Sequence, residues 1–457
     1  MTDSTNKEPI LKHQSNIQRL SDTTFHDWYR MVYAYSDQII IDLAEDWNIT
    51  SDDLILDPFI GTGTSTVASK KLGIDAIGTD AMPPSVLASK VKTNWTVDVD
   101  KFEKRSSELL SSIKPVFDEI SSEGNLTLDQ FDGGHSKYVE LTKYEFYTPS
   151  KSPKDWLSEK PRKKMLALKQ EIEEFPDDEI TDLLKVAMFA IMPEDIANIG
   201  FGPEAYKVEM KKDADVFLHF SNKLDKMQKD LRRVQSEIDK GLDVGDTEIF
   251  EADARFVGDA LTEESDLLEK HDDIDYVITS PPYPAEHDYT RNQRLELVWL
   301  DEVTDNTTLQ RIKKNSIRSN TKNIYVNDKD GEKTDIRDND KIDNIMTVME
   351  EKLEEKDDPS GFEKQYPRVV EEYFGGMVLH FQQLYDIMSD GGLAGYVVAD
   401  QASYWQVEIP TGQILGELAE SKTGFEKQGI KLWRNVASTT GKQEDLREEI
   451  LVLRKPE

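Results

Sequence analysis

The residues with the most chemical potential sit at the ends of two short apolar runs. One is Ile278-Thr279-Ser280-Pro281-Pro282-Tyr283. Neither proline can donate a ladder hydrogen bond, so a strand entering this segment must stop and leave its last carbonyls exposed. The Ser280 hydroxyl and the Tyr283 ring flank that exposed backbone. The other run, Leu54 to Phe59, leads directly into Ile60-Gly61-Thr62-Gly63-Thr64. Glycines where a strand turns into a helix let the backbone take positive φ and approach a ligand closely. The third glycine of a dinucleotide fingerprint is missing, and no Gly-Lys-Ser/Thr follows, so a phosphate-cradling loop is not indicated. Asp80, at the end of the next apolar run, is placed to accept hydrogen bonds from ribose hydroxyls. Each feature alone reads equally well as an ordinary tight turn. Together, on two strands of one sheet, they point to a ligand site at its carboxyl edge. Glu286-His287-Asp288 carries one histidine without a matching partner, so no metal is expected.

These loops need a parallel sheet to hold them. The spacing predicts an amphipathic helix over Phe25–Asn48, a buried strand at Leu54 to Asp57, a helix, and a strand ending at Asp80. This is a β-α-β unit, and residues 1–100 form the first half of the core. Residues 101–245 break the rhythm and read as a helical insertion, a candidate target-recognition region. There Ile180 to Met192 is apolar on most faces, and Leu224, Met227, Leu231, Val234 and Ile238 form a helical stripe. Strands return at Thr247 to Arg255 and before Ser280, within a core segment 246–300. Residues 301–365 are charged, basic first and then acidic, and read as a long loop; residues 366–457 complete the core. The fold class is α/β: a doubly wound sheet with one large helical insertion and one charged loop insertion.

Composition narrows the classes. With 56 Lys+Arg against 90 Asp+Glu, the net charge of −34 repels a polyanion unless basic residues gather on one face. The absence of cysteine removes disulfides, thiolate metal sites and cysteine nucleophiles, and a cytoplasmic location is the default expectation. No run of apolar residues is long enough for a membrane span.

On Asp57-Pro58-Phe59-Ile60-Gly61-Thr62-Gly63-Thr64 and Ser280-Pro281-Pro282-Tyr283, the chain resembles the S-adenosylmethionine-dependent amino-methyltransferases of DNA. Their motif pair is D-P-F-x-G-x-G-T for the cofactor and (D/N/S)-P-P-(Y/F/W) for catalysis. The resemblance also takes in the Phe25–Asn48 segment and Asp253, where the family carries an acidic residue near the cofactor adenine. It implies a Rossmann-like methyltransferase sheet and S-adenosyl-L-methionine as cofactor. Asp57, Phe59, Gly61, Gly63, Thr64, Asp80 and Asp253 would bind it, and Ser280, Pro281, Pro282 and Tyr283 would be catalytic. The insertion between Asp80 and Asp253 departs from a minimal core and leaves the target-reading region open.

The chemistry implied is methyl transfer to an exocyclic amine, whose lone pair is delocalised into the base. Ser280 Oγ and the Pro281 carbonyl would accept from the amine protons, while Tyr283 stacks on a base flipped from the duplex. A Thr-Ser-Pro-Pro-Tyr loop favours cytosine N4 over adenine N6. An RNA or protein amino-methyltransferase is the alternative. The expected partner is double-stranded DNA, in a restriction-modification or phage-defence setting, with or without a specificity or restriction subunit. Tyr289 and Arg291 are expected near the flipped nucleotide. Arg311, Lys313, Lys314, Arg318 and Lys322, in an acid-free stretch of twelve residues, are expected to contact DNA. Lys154, Lys160, Arg162, Lys163 and Lys164 form a second basic candidate.

Overall fold

The computed structural model describes residues 24–31, 35–122, 156–201, 205–325, 336–436 and 446–457. Residues 1–20 and the basic residue Lys154 lie outside them. The central sheet comprises β1 (Leu54–Asp57), β2 (Asp75–Asp80), β5 (Thr247–Glu251), β6 (Ile274–Thr279), β7 (Met388–Ala399), β8 (Glu426–Val436) and β9 (Leu446–Arg454). The strands β3 (Ile199–Phe201) and β4 (Ala205–Lys207) pair separately as a small antiparallel ribbon. The seven strands lie in the order β5-β2-β1-β6-β7-β9-β8. All pair in parallel up to β7, and β9 then runs antiparallel to both β7 and β8.

The chain winds outward from β1 through α2 (Thr64–Lys71) to β2 and through α3 (Pro83–Thr93) toward β5, then returns to lay β6 on the other side of β1. The winding direction therefore reverses between β1 and β6. That is where an open α/β sheet leaves a crevice at its carboxyl edge. All four residues of β1 are buried, as expected of a strand covered on both faces. The expected doubly wound, Rossmann-like α/β sheet is present.

The helical insertion is also present in its described part. Helices α4 (Val99–Ser122), α5 (Glu159–Glu173), α6 (Glu179–Ile191) and α7 (Val216–Asp239) share one apolar core. In α7, Leu224, Met227, Leu231 and Val234 are buried as the stripe requires, and Ile238 packs at the margin. Burying side chains of this size stabilises the insertion by roughly 1.5–3 kcal/mol each before entropic costs.

Two expectations need correction. Phe25–Asn48 is not one helix. Among the described residues of this stretch, α1 (Gln38–Trp47) and a short 3-10 turn, His26–Trp28, form, bounded by positive φ at Phe25 (70°) and Asn48 (56°). The apolar residues of this stretch serve two different cores. Phe25, Trp28 and Tyr29 enter the insertion core, where Phe25 stacks on Trp95 with centroids 4.8 Å apart, whereas Ile39, Ile40 and Leu43 pack on the sheet. Nor is 301–365 simply a loop. It contains α8 (Asn306–Lys314), whose Leu309 and Ile312 enter the insertion core, and α9 (Asp340–Glu354), which packs in one core with α10 (Tyr366–Ile387) and α11 (Thr411–Lys422). The buried stripe Ile342, Ile345, Met346 and Met349 was hidden among charges that occupy the opposite face.

Candidate active site

The glycine loop is shaped by what lies beneath it. Asp57, at the end of β1, is fully buried and accepts hydrogen bonds from Ser65 Oγ, Thr279 Oγ1, Tyr35 OH (3.0 Å) and the Phe59 amide (3.0 Å). Burial raises its carboxyl above the usual range even against these donors. Asp57 is thus the bracket joining β1, β6 and α2, and it lies behind the cavity wall. The Ile60 amide donates to the Thr79 carbonyl at 2.9 Å, and Ile60 itself lies over Gly78. A Cβ at Gly78 would stand 2.0 Å from Ile60 Cδ1, so any larger residue at this strand position would displace the Ile60 side chain. Gly63 (φ 86°) caps α2 and abuts Ser89 of α3, where a Cβ would meet the Ser89 backbone at 3.2 Å. It fixes the helix packing and does not line the cavity.

Asp80 closes the loop from the β2 side. Its carboxylate accepts from the Gly61 amide (2.9 Å) and the Met82 amide (2.8 Å). Burial pushes this carboxyl up to about 7, opposed by those two amides. From α3, Ser89 Oγ donates to the Gly61 carbonyl (3.1 Å), and Lys92 Nζ donates to the carbonyls of Thr62 (2.9 Å) and Tyr29 (2.6 Å). Burial lowers the Lys92 ammonium to about 7, with Lys223 adding to the effect and Asp27 opposing it.

The Ser280–Tyr283 loop begins where β6 ends, one strand from the glycine loop. Ser280 Oγ donates to the Val397 carbonyl (3.1 Å) and lies 3.5 Å from Tyr283 OH. The Tyr283 amide donates to Tyr289 OH (3.2 Å), while Tyr283 OH donates to Glu448 Oε1 at 3.4 Å. Burial and the nearby Glu448 carboxylate raise the Tyr283 phenol above its ordinary value. Both loops line a single cavity of about 240 Å³. Phe59, Gly61, Thr64 and Asp80 wall one part, and Ser280, Pro281, Pro282, Tyr283, Tyr289 and Glu448 wall another.

Two residues of the site were not legible from the sequence, one on the cavity wall and one packed behind it. Glu448 arrives from β9, where it pairs with Ala399 in register. His380, buried on α10, lies edge-on to Phe59 with centroids 5.2 Å apart. Its Nδ1 meets the Ala254 carbonyl (2.9 Å), which can only accept, so Nε2 accepts from Tyr396 OH (2.8 Å). Burial holds this imidazole down to about 4, neutral at ordinary pH.

Asp253, expected near an adenine, is engaged bidentately by Arg255, which also donates to the Lys314 carbonyl. Its neighbours Ala252 and Ala254 line the cavity. The acid-free stretch is placed differently from expectation. Lys313 is buried and paired with Asp288 at 2.8 Å, and Arg318 is buried with its guanidinium donating to the carbonyls of Lys313 (2.9 Å), Lys314 (3.0 Å) and Ser316 (3.2 Å). These two cations staple the segment in place and are not surface contacts. Lys314 lies over the Tyr325 ring (5.5 Å), and Arg311 is exposed. Besides Lys313 and Ile317, the segment gives the cavity polar, uncharged side chains: Asn315, Ser316, Ser319, Asn320 and Asn323. Arg291 lines a neighbouring cavity with Arg294, Lys322 and Trp156. In the second basic candidate, Lys164 pairs with Asp213 (2.6 Å), Lys163 with Glu159 (3.0 Å), and Lys160 donates to the Ser121 carbonyl (2.8 Å).

A Rossmann-like methyltransferase sheet, with a strand-end glycine loop and a Ser-Pro-Pro-Tyr loop opening into one cavity, defines the class of the fold and site. The chain is similar to the Type II methyltransferase M.BsoBI of Geobacillus stearothermophilus, 24% identical over 303 residues, covering 64% of this chain and 55% of that protein. It is also similar to M.MvaI of Kocuria varians, 26% identical over 294 residues and covering 60% and 57% of the two chains. A shorter stretch of 120 residues is 30% identical to M.MjaII of Methanocaldococcus jannaschii, covering 26% of this chain and 21% of that protein. The chain spans about half the length of the first two, at 55% and 57%. No family model matches the chain, and no solved structure does.

Proposed function

We propose that this chain is an S-adenosylmethionine-dependent DNA methyltransferase, acting on the exocyclic amine of a base flipped out of the duplex, with cytosine N4 favoured over adenine N6. The observation that carries this reading is the opening of the two loops, from adjacent parallel strands, into one cavity. The Type II methyltransferases to which the chain is similar support the class and a restriction-modification setting.

The cavity residues fit an adenosine-bearing sulfonium. Phe59, Ala252, Ala254 and Met82 offer an apolar wall to an adenine, and Asp80 offers a carboxylate to ribose hydroxyls. When bound, the cofactor supplies an electrophilic methyl group. Ser280, whose hydroxyl proton goes to the Val397 carbonyl, presents lone pairs that can accept from an amine proton. The Pro281 carbonyl provides a second acceptor at the same strand end. Together they draw the amine lone pair out of ring conjugation. Tyr283 supplies a stacking face worth about 1–3 kcal/mol per base. Holding the reactants in line contributes several kcal/mol more, on the order of the entropy that a free encounter would lose.

Tyr283→Ala is the direct test. It should lower methyl transfer to DNA by about 10-fold to 10²-fold, since it removes stacking worth about 1–3 kcal/mol at the reacting base. S-adenosylmethionine binding, measured by calorimetry, should stay within about twofold. Full turnover by this variant would overturn the catalytic assignment.

A further inference from the structure

Methyl transfer leaves a positive charge on the amine, and the Ser-Pro-Pro-Tyr loop carries no carboxylate to meet it. Among the described residues, three carboxylates line the cavity. Asp80 sits on the glycine loop and accepts from the Gly61 and Met82 amides. Asp288 is paired with Lys313 at 2.8 Å. Glu448 is the one beside the catalytic loop: its Oε1 is 3.4 Å from Tyr283 OH, which is in turn 3.5 Å from Ser280 Oγ. The residue is buried, in the last pair of the antiparallel β7–β9 ladder and inside the β8–β9 ladder, and the two pairings fix its backbone. A carboxylate held that way costs little reorganisation when charge develops next to it.

Resting on the reading above, we infer that Glu448 is a further catalytic residue, a carboxylate supplied from β9 that takes the proton released by the methylated amine. As the amine nitrogen bonds to the methyl carbon, the carbon–sulfur electron pair leaves on sulfur, and the sulfonium becomes a neutral thioether. The nitrogen then carries the positive charge. One of its protons passes to the Glu448 carboxylate, which returns a neutral methylamino base, and the carboxyl later loses that proton to water. Ser280 and Pro281 orient the amine, and Glu448 stabilises and then discharges the cation. The motif itself could not show this, because Glu448 lies 165 residues downstream of Tyr283 and is brought beside it only by the strand register.

The test is Glu448→Gln, which keeps the side-chain shape and an oxygen able to accept from Tyr283 OH, together with Glu448→Asp, which keeps the charge on a shorter stem. Single-turnover methyl transfer to unmodified genomic DNA is measured alongside S-adenosylmethionine affinity by calorimetry, duplex affinity and thermal unfolding. The expected result is a fall in the transfer rate of about 10²-fold or more in Glu448→Gln, with both affinities within about twofold and unfolding unchanged, and a smaller fall in Glu448→Asp. A Glu448→Gln rate within twofold of an active wild type overturns this inference alone. Equal losses in rate, affinities and unfolding temperature overturn it in favour of a structural carboxylate. A wild type that binds S-adenosylmethionine but labels no DNA overturns the reading on which it rests.

Discussion

Asp80 makes the proposed cofactor site sensitive to pH. Its carboxyl is pushed up to about 7 in the protein, from an ordinary value of 3.8, so the folded state favours the neutral form. The stability this contributes is complete below pH 4 and is lost as pH rises through about 7. Cofactor binding runs the other way, because ribose hydroxyls donate best to the ionised carboxylate. S-adenosylmethionine affinity should therefore rise as pH increases through about 7. Asp80→Asn should remove that dependence and weaken binding by roughly 10-fold or more, the loss expected for a hydrogen bond to a charged group. Calorimetry between pH 5.5 and 8.5 checks both. A pH-independent wild-type affinity would show that Asp80 does not face the ligand.

At the scale of elements, the glycine loop is clamped from α3. Lys92 reaches from that helix to the Thr62 carbonyl and, on the other side, to the Tyr29 carbonyl, so it ties the loop to the segment packed in the insertion core. Its ammonium is lowered by burial to about 7 from 10.5. A base depressed in this way favours folding most above its ordinary value, and stability falls as pH drops from about 10.5 to about 7. Lys92→Met keeps the bulk and loses both donors. Its stability should be flatter over pH 7–10 than that of the wild type in chemical denaturation, and its cofactor affinity should fall by about 10-fold. The strands β1, β2, β5 and β6 and both loops were legible because their signals are local: an apolar run, a glycine pair, a proline pair. Residues that reach the site through long-range register, such as Glu448 and His380, leave no local signal. Lys313 and Arg318 read as a basic surface because charge along a chain does not reveal that Asp288 and a row of carbonyls await them inside. The Phe25–Asn48 spacing misled for a related reason, since two cores drew on one helical pattern.

For the whole molecule, the charge of −34 sets how DNA can be held. Many described cations answer carboxylates of the same chain, including Lys164 with Asp213, Lys169 with Asp301, Lys185 with Asp177, and Lys313 with Asp288. Each released counterion steepens the salt dependence of DNA binding by about 0.9 in the log–log slope. With so much of its positive charge turned inward, the protein should show a slope shallower than about −3, read from duplex affinities between 50 and 200 mM salt. A slope steeper than about −6 would contradict this and point to a basic face. Within the described residues no helix is long and apolar enough to cross a membrane. The apolar core of the insertion takes in Ala88 and Val91 of α3, and the His26–Trp28 turn is tied to it by Trp28 Nε1, which donates to Asp230 of α7 (2.8 Å).

The central claim is that the two loops serve one reaction on a DNA base. Incubating the protein with radiolabelled S-adenosylmethionine and unmodified DNA, digesting the DNA, and identifying the labelled nucleoside by mass spectrometry tests it most directly. The account predicts label on an exocyclic amine, as N4-methylcytosine. Label as N6-methyladenine would keep the class and reverse the base. DNA left unlabelled by a protein that binds S-adenosylmethionine would contradict the claim.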